Sequence, residues 1–269
     1  MAKWKIILAA MVFTGHLPLP AKAAAWLQEA GRGIVIIKQE SAQQEFTAQA
    51  GLTYRQKLRF QEIYGEYGLT PRLTFTAKQG RQKSSLSNRH ATDDLTQSGL
   101  RVATPALATG LLPPFTYDIL SKLAEPIRLD RQKKAALHIF AMHYAGETAP
   151  GFAVELADKI FTPNWSFTQS LRLSQSRSSR LHWSQASWSW VAGYRDRLFY
   201  GRQAEIFENA KSGYRDIRQY DFIEYAFRDS PLALRLAHGR LLNVPQLPGG
   251  RLTQISLYGG FNLPANPAQ

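Results

Sequence analysis

The stretch LRFQEIYGEYGLTPRLTFTAK, residues 58–78, decides the fold. Leu73, Phe75 and Ala77 alternate with polar residues, and this period of two is typical of a strand with one apolar face. The tripeptide 69–71, Leu-Thr-Pro, separates the two halves of the stretch, and its proline favours a tight turn. The stretch therefore predicts two antiparallel strands joined by a short connection.

Two further pairs of strand-like segments are joined by similarly short turns, at 195–197 and 228–231. Longer polar stretches lie between the hairpins, at 40–56, 80–94, 209–214 and 241–250. Short turns on one side and long connections on the other are typical of membrane barrels with periplasmic turns and external loops. We predict an all-β fold, a transmembrane antiparallel up-and-down β-barrel of about 12 strands. The strands are placed near 32–39, 57–68, 72–79, 96–104, 132–145, 152–161, 165–174, 182–194, 198–208, 215–227, 231–240 and 251–263.

Three segments fit this pattern less well. Residues 104–130 form a long connection where a short turn is expected, and the helical spacing within 115–124 favours a short helix that plugs or caps the barrel, with an undetected strand pair as the alternative. Residues 152–161, FAVELADKIF, are compatible with a strand or a short helix. Residues 215–227 carry apolar side chains on both faces, so their lipid-facing side is not assigned.

The first 23 residues have the features of a signal peptide. Lys3 and Lys5 precede a short apolar run that leads to Ala21-Lys22-Ala23, a small-x-small cleavage pattern. We therefore assign 1–23 to a signal peptide and 24–269 to the barrel domain. No later run approaches the roughly 20 apolar residues of a membrane-spanning helix. An exported chain of this kind is predicted to reside in the outer membrane.

The net charge and the predicted export limit the kinds of partner that the protein can bind. The formal net charge of +13 falls to +10 without the signal peptide, and this positive charge suggests an anionic partner. Export argues against nucleic acid, so we expect outer-membrane lipid and lipopolysaccharide, the barrel-assembly machinery and, as candidates, secretion-system proteins. A solvated basic surface without a specific partner is the alternative. The chain has no cysteine, so disulfides make no contribution to its stability.

Several motifs resemble those of an uncharacterised family of proteobacterial outer-membrane β-barrel proteins, which are porin-like. They are Ala25-Trp26-Leu27-Gln28 with the following 31–36, the hairpin 62–74, residues 198–202, and Tyr214-Arg215. The resemblance implies an outer-membrane barrel and brings no catalytic residue with it. This chain differs from many such barrels, which end on a terminal aromatic residue, because it continues beyond Phe261.

No metal motif, phosphate loop or nucleophile elbow is present, and no cofactor is predicted. A barrel enzyme that hydrolyses or acylates lipid is one alternative, in which His182 lies on the same strand face as Ser184, with Glu205 and Asp221 on neighbouring strands. The other histidine pair, His138 and His143, has an odd spacing that puts the two rings on opposite faces.

The lumen is the more informative candidate site. If the apolar faces meet lipid, then Arg72, Lys78, Arg235 and Gln254 are candidate lumen-facing binding residues. Twelve strands predict a narrow or partly plugged lumen, because eight leave an interior filled by side chains and sixteen leave an aqueous pore. We predict a transport channel or envelope-structural barrel whose basic lumen favours anions. A soluble periplasmic β-protein that binds an anion is the remaining alternative.

Overall fold

The chain forms a closed barrel of twelve antiparallel strands in which the last strand pairs with the first. The structure, a computed structural model, describes residues 27–47, 53–86, 89–104, 130–144, 146–179, 181–210, 214–243 and 247–262. The strands are β1 Arg32–Thr47, β2 Thr53–Thr70, β3 Leu73–Leu86, β4 Arg89–Ala103, β5 Asp130–Tyr144, β6 Glu147–Phe161, β7 Trp165–Arg177, β8 His182–Tyr194, β9 Leu198–Asn209, β10 Tyr214–Ala226, β11 Leu232–Asn243 and β12 Leu247–Asn262. This architecture confirms the predicted fold class and strand number.

Each strand presents alternate residues to the outside and to the lumen. The outer face exposes many large apolar side chains, among them Phe75, Leu100, Leu137, Ile139, Phe152, Leu173, Trp188, Leu198, Tyr200, Ile223, Tyr225, Leu236 and Ile255. An apolar belt of this extent on a closed barrel is the surface that meets hydrocarbon in a bilayer. Within the described ranges, no helix is long and apolar enough to cross a membrane.

The hairpins reach further than the sequence predicts. The polar stretches 40–56 and 80–94 were expected to be external loops, but most of them continue the ladders, up to the pairs Thr47↔Thr53 and Leu86↔Arg89. Outside the apolar belt, water solvates both faces, so a strand there needs no apolar alternation and is invisible to a pattern based on it. The loop prediction for these two stretches was wrong.

Two ambiguous segments are strands for different reasons. Residues 152–161 belong to β6, where Phe152 and Val154 face outward and Ala153 and Ala157 face inward, so this strand alternates in side-chain size rather than polarity. In β10, by contrast, apolar residues occupy both faces. Ile223 and its outward neighbours meet the outside, while the inward ones belong to a buried cluster of Ala42, Tyr220, Phe222, Ala237, Leu241 and Leu252. The helix considered for 115–124 and the signal peptide lie outside the described residues.

Aromatic rings on the inner wall cover glycines of the neighbouring strand. The contacts are Phe60 with Gly80, Phe140 with Gly151, Phe199 with Gly193 and Phe222 with Gly201. At Gly80, an added Cβ would lie 3.0 Å from the Phe60 ring, so a larger residue would displace the ring. The absent side chains let these rings rest against the wall, which keeps them out of the centre of the lumen.

Glycine is required most strictly where the neighbouring backbone is close. A Cβ at Gly239 would overlap the carbonyl oxygen of Gln219, whereas a Cβ at Gly65 would stand 3.9 Å from its nearest neighbour, the Ile34 oxygen. We expect Gly239→Ala to lower the folded fraction of refolded protein, and the matched Gly65→Ala to leave it unchanged. The difference in gel migration between heated and unheated samples measures that fraction. Equal folding of the two variants would contradict this assignment.

Candidate functional site

The lumen carries charged side chains of both signs. Its inward-facing cations include Lys38, Lys78, Arg101, Arg172, Arg218 and Arg235, and its inward-facing carboxylates include Glu40, Glu62, Glu66, Glu155, Glu205, Asp216 and Glu224. The strand registers place these residues on the face opposite the apolar belt. Many of them form two clusters, centred on Arg101 and on Arg218, and the pairs Lys78–Glu62 and Arg235–Glu224 are described separately.

The Arg101 cluster joins β2, β4, β6 and β7. The Arg101 side chain is almost fully buried and lies 2.7 Å from Glu66 and 2.9 Å from Glu155. Glu155 is itself fully buried and also lies 3.1 Å from Arg172. A buried charge is tolerated only when it is paired, and Glu155 neutralises two guanidinium groups at once. The cluster therefore ties four strands together through their lumenal side chains.

A histidine extends this cluster to two more strands. The Nε2 atom of His138 on β5 lies 2.8 Å from Oγ1 of Thr76 on β3, with β4 between them. Gly99 is the β4 residue at the crossing point, and a Cβ there would lie 2.8 Å from that same Nε2 atom. Glycine at this position thus opens the space for a contact across an intervening strand. On the other side of the ring, Arg172 lies 3.3 Å from Nδ1.

The segment before β1 enters the periplasmic end of the lumen. The backbone N–H of Gln28 donates to Oγ1 of Thr74 at 3.1 Å, and its side-chain amide donates to Glu66 at 2.9 Å. Ala30 forms an isolated bridge with Gly68, where any side chain would overlap the Glu29 backbone. Residues 28–30 therefore narrow the periplasmic mouth and connect to the Arg101 cluster.

The Arg218 cluster lies further toward the long hairpins. Arg218 of β10 lies 2.9 Å from Asp216 on its own strand and 2.7 Å from Glu40 on β1, two strands beyond its neighbour β11. This contact spans part of the lumen as a chord in front of β11 and β12. Lys38 approaches the same carboxylate, Glu40, at 3.3 Å. A solute passing this level has to pass beside the Arg218 side chain.

Three of the four predicted lumenal residues face the interior, in separate places. Lys78 forms an ion pair with Glu62 at 2.7 Å. Arg235 pairs with Glu224 at 2.7 Å and lies over the ring of Phe222 at 3.9 Å. The Gln254 amide donates to Ser256 at 2.9 Å.

The fourth residue, Arg72, is exposed in the turn between β2 and β3, so the structure does not bring the four together. Whether any of them binds a ligand stays a prediction. The sequence reasoning missed the lumenal carboxylates, although their position two residues from an inward-facing neighbour, as with Lys38 and Glu40, is a signal that could have revealed them.

The residues considered for lipid chemistry do not converge. His182 and Ser184 share the outward face of β8, as the spacing predicts, but Glu205 points into the lumen. Asp221 faces outward and accepts two hydrogen bonds from Arg202, at 2.7 and 3.1 Å. The histidines His138 and His143 lie on opposite faces of β5, and the described residues contain no group of three ligands that could hold a metal ion.

The comparisons with known proteins agree with this architecture. No family model matches the sequence, and no curated protein matches it. An outer-membrane channel from Pseudomonas putida F1 is similar in structure, with a TM-score of 0.52 and 12% identity over 89% of this chain and 99% of that one. The KdgM porin is more distant, with a TM-score of 0.46 and 6% identity over 85% and 99% of the two chains. At 12% identity the likeness to the Pseudomonas putida channel shows the fold alone, that of an outer-membrane β-barrel.

Substitution of a buried carboxylate should lower the stability of the barrel more than substitution of an exposed one. We expect Glu155→Gln to destabilise the barrel by about 3 kcal/mol, because two buried guanidinium groups would lose the carboxylate between them. The control is Asp94→Asn, which breaks the exposed Arg81–Asp94 pair and should have a much smaller effect, because water screens an exposed ion pair. Urea unfolding followed by tryptophan fluorescence measures both. Equal losses would show that burial does not decide the contribution of these pairs.

Proposed function

We propose that the protein is an outer-membrane channel with a narrow polar lumen. The observation that carries the proposal is a closed ring of strands whose outer face is apolar and whose inner face holds fixed charges. A barrel that served only as a membrane anchor would have no need to hold so many ionised groups in its interior, since each one costs desolvation energy. Charged linings are used by pores to select among solutes.

The aromatic rings leave the centre of the lumen free, and two charged clusters narrow the lumen at two levels. Rings such as Phe140 and Phe222 rest against glycines of the wall instead of pointing across the lumen. The Arg101 and Arg218 clusters, in contrast, extend from one strand to another across part of the interior. This combination favours passage of small polar or ionic solutes over large ones, in keeping with a twelve-stranded ring.

The ion preference of this channel depends on where its charges lie. In the middle of the lumen, cations and carboxylates occur in nearly equal numbers and are paired with one another. The excess positive charge of the chain therefore lies elsewhere. An anion preference, as expected from the net charge, would arise from the mouths of the barrel, where fixed cations raise the local concentration of anions.

An enzyme acting on lipid is a weaker candidate. It needs a base oriented by a third group, and Glu205 lies on the face opposite His182 and Ser184. A soluble periplasmic protein is also a weaker candidate, because it would have to expose the whole apolar belt to water. Neither alternative accounts for an inward-facing charge lining and an outward-facing apolar belt together.

The channel is tested by removing the side chain that crosses the lumen. We expect Arg218→Ala to increase single-channel conductance in planar bilayers about twofold or more, because the side chain that extends across the lumen to Glu40 is removed. Reversal potentials in asymmetric KCl should shift toward cation permeability, because Glu40 and Asp216 lose a positive neighbour.

The control comes from the same strand. Arg215 faces outward on β10, three residues from Arg218, so Arg215→Ala removes an equal charge without touching the lumen. It should leave both conductance and reversal potential unchanged. A wild-type protein that inserts into the bilayer without conducting would refute the channel and favour an envelope-structural role.

A further inference from the structure

Four strands repeat one order of residues on their outer face. Moving away from the periplasmic turns, an apolar residue is followed by one neutral or imidazole side chain and then by an arginine. The sequences are Ile63, Gln61, Arg59 on β2; Ala77, Gln79, Arg81 on β3; Leu236, His238, Arg240 on β11; and Ile255, Thr253, Arg251 on β12. The repeat puts these arginines just beyond the apolar belt, at the level of lipid head groups.

Two pairs of cations at this level face each other directly across a strand boundary. Arg240 on β11 is opposite Arg251 on β12, and Arg59 on β2 is opposite Lys83 on β3. All four side chains are exposed, and none forms an ion pair with a carboxylate of the described residues. Like charges in directly opposed positions destabilise a sheet unless something neutralises them. We call these four residues the basic patch.

The basic patch has a neutral centre. Between the two cation pairs lies β1, whose outward residues level with these pairs are Ser41, opposite Arg59, and Gln43, opposite Arg251. Across the strands, the centres of the two pairs are three strand spacings apart, or about 14 Å at roughly 4.8 Å for each spacing, and the registers offset them by two residues along the strands. The surface therefore presents two cationic sites separated by uncharged hydrogen-bonding groups.

Two other outward-facing arginines lie opposite a carboxylate. Arg215 on β10 is directly opposite Glu208 on β9 in the strand register. On β3, Arg81 is neutralised by Asp94 at 2.7 Å. The basic patch differs from these two sites because each of its cations has another cation, and not a carboxylate, directly opposite it.

We propose that the basic patch binds the head group of a bisphosphorylated glycolipid of the outer leaflet, the lipid A part of lipopolysaccharide. One phosphate lies between Arg240 and Arg251 and the other between Arg59 and Lys83, with the sugar hydroxyls against β1. Acyl chains then extend along the apolar belt below. Each phosphate neutralises one of the like-charged pairs, in which no carboxylate is directly opposite either cation.

The test uses one substitution from each pair. Wild-type protein and Arg59→Gln/Arg251→Gln, in detergent micelles, are titrated with bisphosphorylated lipid A, and native mass spectrometry measures the bound fraction. We expect about 25-fold weaker binding by the variant, since a basic residue at an anionic surface contributes about 1 kcal/mol and 1.4 kcal/mol is tenfold. The matched control is Arg177→Gln/Arg215→Gln, which removes two outward-facing arginines elsewhere and should bind like the wild type.

Two further binding measurements identify the chemical nature of the ligand. Lipid A with a single phosphate should bind the wild type at least tenfold more weakly, because one cation pair stays unoccupied. Inorganic phosphate in molar excess should not displace the bisphosphorylated lipid. Equal binding by the patch variant and its control, equal binding of the two lipids, or displacement by inorganic phosphate would each overturn the proposal. The conductance of the patch variant should equal that of wild type, which separates this inference from the proposed channel.

Discussion

Every feature of this barrel depends on one constraint, that backbone N–H and C=O groups inside a bilayer find no water to bond with. Only a ring in which each strand has two neighbours satisfies all of them, and the pairing of β12 with β1 completes that ring. Once the ring is closed, alternate side chains have to face hydrocarbon or the lumen. The apolar belt, the charged interior and the head-group level of the outer wall all follow from this division.

The interior accommodates many charged side chains in a confined space by pairing them with one another. Arg101 is paired with two carboxylates from two strands, and Glu155 with two guanidinium groups. Such buried groups contribute little net stability compared with an apolar filling, but they fix the shape and polarity of the lumen. Glycines opposite aromatic rings have the complementary effect, because they keep bulky side chains against the wall.

The sequence predicted the strands well where lipid imposes alternation and short turns mark the ends, as in residues 58–78. It failed at 40–56 and 80–94, because strands surrounded by water on both faces carry no such pattern. The lumenal positions of Lys78, Arg235 and Gln254 followed from the alternation of side chains along their strands alone. Their partners did not, since the contact of Glu40 with Arg218 joins residues from nearly opposite ends of the chain. Local spacing holds no information about contacts of this kind.

The seam between β1 and β12 also governs how the molecule can be made. Arg32 pairs with Asn262, so the two edges of the sheet meet only after the chain as far as Asn262 has been synthesised and exported. Until then both edges expose unpaired peptide groups that invite association with other chains. Closing such distant contacts is slow because loop entropy has to be overcome first. Productive assembly therefore requires that the open sheet be shielded at its two margins until they join.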